Sequence, residues 1–68
     1  MKKQRTSAYA LLKPMVGDRW EDDENVTRFV TGRKGVSVQY RMYGNGYEVS
    51  IYRWRKMHAN ALFLGGAE

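Results

Sequence analysis

His58 is the chain's sole imidazole, so any acid–base or nucleophilic chemistry on a histidine must run through it. A hydroxyl nucleophile would have to be Ser7, Ser37 or Ser50, with an acid to orient the ring. None of the three sits in a nucleophile-elbow motif, the sharp strand-to-helix turn that exposes an activated serine. His58 therefore reads as a helix-face residue packed beside Trp54 or lying at the surface. There is no cysteine, which excludes disulfides and thiolate zinc sites. Asp18, Glu21, Asp22, Asp23 and Glu24 are oxygen ligands in principle. A calcium loop, however, spaces its ligands alternately and turns on a glycine, and these acids are nearly contiguous. Gly32-Arg33-Lys34-Gly35 and Gly44-Asn45-Gly46 match no phosphate-cradling fingerprint and open no long helix. They read as turns. The expectation is a protein without catalysis, cofactor or metal.

The basic residues carry the functional weight. Lys and Arg number 12 against 7 Asp and Glu, giving +5 and a sequence pI near 9.8. The charge is segregated into a basic start (Lys2, Lys3, Arg5, Lys13), an acidic stretch over 18–24 and a basic body. After residue 24, 7 basic residues face only Glu48 and Glu68. Guanidinium and ammonium groups neutralise phosphates and release counterions, and aromatic rings stack on unpaired bases. The candidate nucleic-acid contacts are Arg33 and Lys34 at a hairpin tip, Arg41 and Tyr43 on an outward strand face, and Arg53, Arg55 and Lys56 on a helical turn. DNA is expected ahead of RNA. A rival reading from another class places a host protein on an aromatic patch of Tyr43, Tyr52 and Trp54 beside the acidic residues Asp22, Asp23 and Glu24.

These side chains need elements to hold them. Val26 to Thr31, Val36 to Tyr43 and Tyr47 to Ile51 are rich in β-branched and aromatic residues and read as strands; Met15 to Trp20 is a weaker one. A two-residue Asn45-Gly46 loop would pair Tyr43 with Glu48, Met42 with Val49 and Tyr40 with Ile51, sorting apolar pairs onto one face. A three-residue Arg33-Lys34-Gly35 loop, with Gly35 left-handed, would set Val30 opposite Val38. That register leaves Phe29 on the outer face, unless strong strand bending buries both faces. Arg28, Gln39, Arg41, Tyr43 and Tyr52 face outward with it. From Ile51 the apolar period changes to about 3.6, with Ser50 as N-cap. A helix over 51–59 follows, with Trp54 and Met57 inward and Arg53, Lys56 and Asn60 outward. Leu62 to Leu64 forms a last short strand. Near the start, Thr6 or Ser7 caps a short helix that Pro14 ends, docked through Tyr9 and Leu12 or free.

This order of elements, with a helical turn before the last strand, resembles the Src-homology-3-like small β-barrel over about residues 15–64. The resemblance implies an all-β, five-stranded barrel. The paired-tyrosine signature of proline-peptide binding is missing from the acidic turn, so that site is not carried over. Gly17-Asp18-Arg19-Trp20, Val38-Gln39-Tyr40-Arg41 and Tyr47-Glu48-Val49-Ser50 followed by Trp54-Arg55 also resemble stretches of small phage and prophage proteins, which implies a role on host machinery or nucleic acid. The organisation expected is a flexible basic arm over 1–14, a barrel over 15–64 and a frayed tail over 65–68. A chain of 68 residues makes one domain at most and buries little surface, so its nine aromatics must supply the core. No apolar run approaches the roughly 20 residues of a membrane span. Lys2 and Lys3 precede only a short apolar stretch, Ala8 to Leu12, so the expected location is a bacterial or host cytosol. An exposed sheet edge would pair two copies into a homodimer.

Overall fold

The computed structural model describes residues 6–66. It contains α1 (Ser7–Leu12), β1 (Arg19–Glu21), β2 (Thr27–Lys34), β3 (Ser37–Met42), β4 (Asn45–Ser50), α2 (Ile51–Met57) and β5 (Leu62–Gly65). The chain is mostly β. Five antiparallel strands form one open sheet in the order β4-β3-β2-β1-β5, with β4 and β5 at its margins.

The two helices cover one face of this sheet. Ala10 of α1 and Ile51 and Trp54 of α2 are buried against Trp20, Val30, Val38 and Tyr40 from the strands. The rings interlock: Tyr40 stacks on Tyr47 at 5.4 Å and meets Trp54 at 5.1 Å, while Trp20 meets Phe63 at 5.0 Å. Large rings bury the most apolar area per residue, which a chain of this size needs. α2 begins as expected, with the Ser50 hydroxyl accepting from the Arg53 amide, and ends at Met57. α1 is capped by Thr6, whose hydroxyl accepts from the Tyr9 amide. It docks through Ala10 and Leu11 and leaves Tyr9 and Leu12 exposed, the reverse of the face expected. Residues 6–14 are thus packed on the body; Lys2, Lys3 and Arg5 lie outside the described residues.

Two expectations of register and two of strand extent are corrected. The last hairpin turns at Tyr43-Gly44, not Asn45-Gly46, and pairs Tyr40 with Tyr47 and Val38 with Val49. Tyr43 and Gly44 have φ of 55° and 80°, the two left-handed positions of a primed two-residue turn. The first hairpin turns at Gly35-Val36, with φ of 58° at Gly35 alone. Its extra residue moves into the strand as a bulge between Val30 and Gly32, and Val30 pairs with Tyr40. Met15 to Asp18 is a turn closed by the Asp18 carboxylate, which accepts from the Met15 amide at 2.9 Å, so β1 starts only at Arg19. Gly65, expected to fray, is the buried last residue of β5. Among the described residues no helix is long and apolar enough to cross a membrane.

Candidate nucleic-acid interface

The seven basic and aromatic positions singled out from the sequence do not form one surface. Arg33 is spent on structure. Its Nε donates to the Ser37 carbonyl at 3.2 Å, Nη1 to the Pro14 carbonyl at 2.9 Å and Nη2 to the Gly35 carbonyl at 3.2 Å. It ties the first hairpin to the segment after α1. Arg55 donates from Nη2 to the Leu12 carbonyl at 2.9 Å, satisfying the end of α1, and lies 5.8 Å from the Tyr52 ring centre. Arg53 and Lys56 are exposed on α2, in the helical layer. Lys56 also lines a cleft of about 130 Å³ with Asp22 and Asp23. Lys34, Arg41 and Tyr43 belong to the sheet and its turn, and all three are exposed.

The rival aromatic patch loses its anchor. Trp54 is 0% exposed and is the centre of the core. Asp22 is likewise a structural residue: Oδ1 accepts from the Glu24 and Val26 amides at 2.9 Å each, and Oδ2 pairs with Arg28 at 3.1 Å. The Val26 hydrogen bond, helped by that of Glu24 and by Arg28, holds its pKa below the ordinary carboxylate value against the opposing effect of desolvation. Tyr52, Asp23 and Glu24 remain exposed.

His58 packs beside Trp54, with ring centres 3.8 Å apart, and is 1% exposed. Its Nδ1 lies 2.8 Å from the Trp54 carbonyl, an arrangement that makes Nδ1–H the donor of a neutral ring. Burial holds its pKa below the usual imidazole value; the Trp54 carbonyl opposes that shift in part. Ser7 lines the same cavity of about 210 Å³, yet Nε2 of His58 has no hydrogen-bond partner. Nucleophile–base activation needs such a contact, and the nitrogen an acid would orient is turned to a backbone carbonyl. Among the described residues no group of three or more His, Asp or Glu is placed to hold a metal ion.

The arrangement with binding chemistry is on the face the helices leave uncovered. The strand register aligns Gly65, Arg19, Phe29, Arg41 and Gly46 in one row across all five strands. Residues directly opposite in a ladder point to the same face, so Arg19, Phe29 and Arg41 stand side by side. Both arginines are exposed, and Phe29 is 45% exposed. Each guanidinium spends Nη2 on a backbone carbonyl, that of Leu64 for Arg19 at 3.5 Å and that of Gly44 for Arg41 at 3.0 Å, and retains further donors. A Cβ at Gly46 would meet nothing within 4 Å, so the Arg41 end is open. Lys34 shares this face at the far end of β2. Glu21 and Glu48 lie on it in the rows to either side.

Arg19 was missed because the weak strand over Met15 to Trp20 gave no register to place it. Phe29 was set on the outer face by register alone, and its exposure removes the alternative of burial by bending. Arg28, expected outward, instead faces the helical side through its pairing with Trp20. No protein-family model matches the chain, and no curated protein and no solved structure is significantly similar to it.

Proposed function

We propose that the protein is a non-catalytic nucleic-acid-binding module that takes the phosphate backbone on the uncovered face of its sheet, with DNA as the first partner to test. The observation that carries this reading is the row Arg19–Phe29–Arg41, two exposed arginines with donors to spare on either side of an exposed ring. A phenylalanine left 45% exposed on a wet sheet face forgoes apolar stabilisation, and the arginines on either side give the site an anionic, ring-bearing complement. Net charge of +5 adds long-range attraction. The helical turn α2 just before β5 supports the Src-homology-3-like reading of the fold. A phage-encoded regulator of the cytosol fits a small basic module of this kind. The alternative role on a host protein retains only Tyr43, Tyr52, Asp23 and Glu24 at the surface and is the weaker one.

The test is fluorescence anisotropy of a labelled DNA strand as salt is raised. Three cations on the face, Arg19, Arg41 and Lys34, predict a slope of log K against log salt of about −2 for single-stranded DNA. Replacing Arg19 and Arg41 by alanine should bring that slope to roughly −0.7. Absence of binding at low salt, or a slope that ignores both substitutions, contradicts the reading.

A further inference from the structure

We infer that the ligand of this face is single-stranded nucleic acid, held by a base stacked on Phe29 between Arg19 and Arg41; the inference rests on the nucleic-acid reading and narrows it. Phe29 is opposite Arg19 on one side and Arg41 on the other. It does not belong to the core cluster, and among the described residues no aromatic ring packs on it. The ring is 45% exposed, with Arg19 and Arg41 as its cross-strand neighbours on either side. Guanidinium groups stack on bases as well as pairing with phosphates, so a base on Phe29 has a phosphate-pairing group on the strand to either side.

A duplex does not suit such a site. Its bases are stacked on each other inside, and a ring that stands on a broad sheet cannot reach a base face without unstacking it. An unpaired base offers that face freely. Charge points the same way. Glu21 and Glu48 occupy the rows on either side of the basic row, on β1 and β4 respectively. Two of the face's three cations therefore share one line across the strands, with Lys34 apart from it beyond the Glu48 row. That line runs from Gly65 to Gly46, about 19 Å at roughly 4.8 Å per strand. One phosphate chain following it meets Arg19 and Arg41 and avoids both carboxylates. A stiff duplex backbone, which winds around its axis, crosses that line rather than following it.

Three probes decide the matter by anisotropy at low salt: a fluorescein-labelled oligothymidylate of about twelve nucleotides, an abasic strand of the same length and the corresponding duplex. The expected result is binding of the oligothymidylate about tenfold tighter than of either other probe. Phe29→Ala should remove that advantage and leave abasic-strand affinity unchanged; Phe29→Tyr should keep it. Equal affinity for all three probes in the unaltered protein overturns the stacking inference and leaves backbone binding standing, without depending on any variant's folding. Binding to none of the three overturns the nucleic-acid reading beneath it as well.

Discussion

Trp54 shows how one residue type supports two readings until its neighbours are known. A tryptophan on a short exposed-looking helix is a natural partner anchor, yet here it meets Tyr40, His58 and the rest of the core at 0% exposure. Trp54→Ala should cost about 3–5 kcal/mol, a large share of the stability of so small a domain. Urea denaturation would show it as a collapse of the folded baseline; an unchanged midpoint would return Trp54 to the surface. His58 supplies a second residue-scale prediction. Its folded pKa is depressed by burial, so below the unfolded value of about 6.5 the unfolded chain binds the extra proton. Stability should hold above that pH and fall as pH drops through it towards the folded pKa. Thermal melts of the protein and of His58→Asn should diverge at neutral pH and converge on acidification; parallel curves would contradict a buried neutral ring. Helical spacing left His58 either beside Trp54 or at the surface, and the fold takes the first. The role of Arg33 was not, because a hydrogen bond to Pro14, 19 positions earlier in the chain, leaves no local trace.

At the scale of elements, the last hairpin separates what pattern can fix from what it cannot. Sliding the turn from Asn45-Gly46 to Tyr43-Gly44 moves every partner by an even number of positions, so Val38, Tyr40, Tyr47 and Val49 stay on one face in both registers. Face sorting was therefore readable, and turn position was not. The observed register stacks Tyr40 on Tyr47 and frees Ile51 to enter the core as the first residue of α2. Local turn preference yields to that packing, and Tyr43 is left at a positive φ that asparagine or glycine tolerates better. Tyr43→Asn should stabilise the fold by several tenths of a kcal/mol to about 1 kcal/mol, and Gly44→Ala should destabilise it by about 1–2 kcal/mol. Chemical denaturation of the two variants checks both signs; opposite signs would restore the Asn45-Gly46 turn. The N-cap of α2 is a local signal that was read correctly, since Ser50 sits where the apolar period changes. Ser50→Ala should cost about 1 kcal/mol.

The whole molecule is a sheet with helices on one side and a charged, ring-bearing row on the other. Composition announced a basic protein, and strand patterning announced a β fold with a helical turn. Neither could say which cations share a face. Arg53, Arg55 and Lys56 went to the helical layer, Arg33 and Arg55 were drawn into backbone hydrogen bonds, and Arg19 came forward beside Phe29. That sorting follows from five-strand register, a property of pairs far apart in sequence. β4 and β5 remain the margins at which a second copy could pair, and sedimentation at two concentrations would detect such a dimer. The central claim is the location of the nucleic-acid site, and an NMR titration with single-stranded DNA at low salt tests it most directly. The account predicts that the amide signals of Arg19, Phe29 and Arg41 shift together while those of Arg53 and Lys56 stay in place. Shifts confined to α2, or none anywhere, would contradict it.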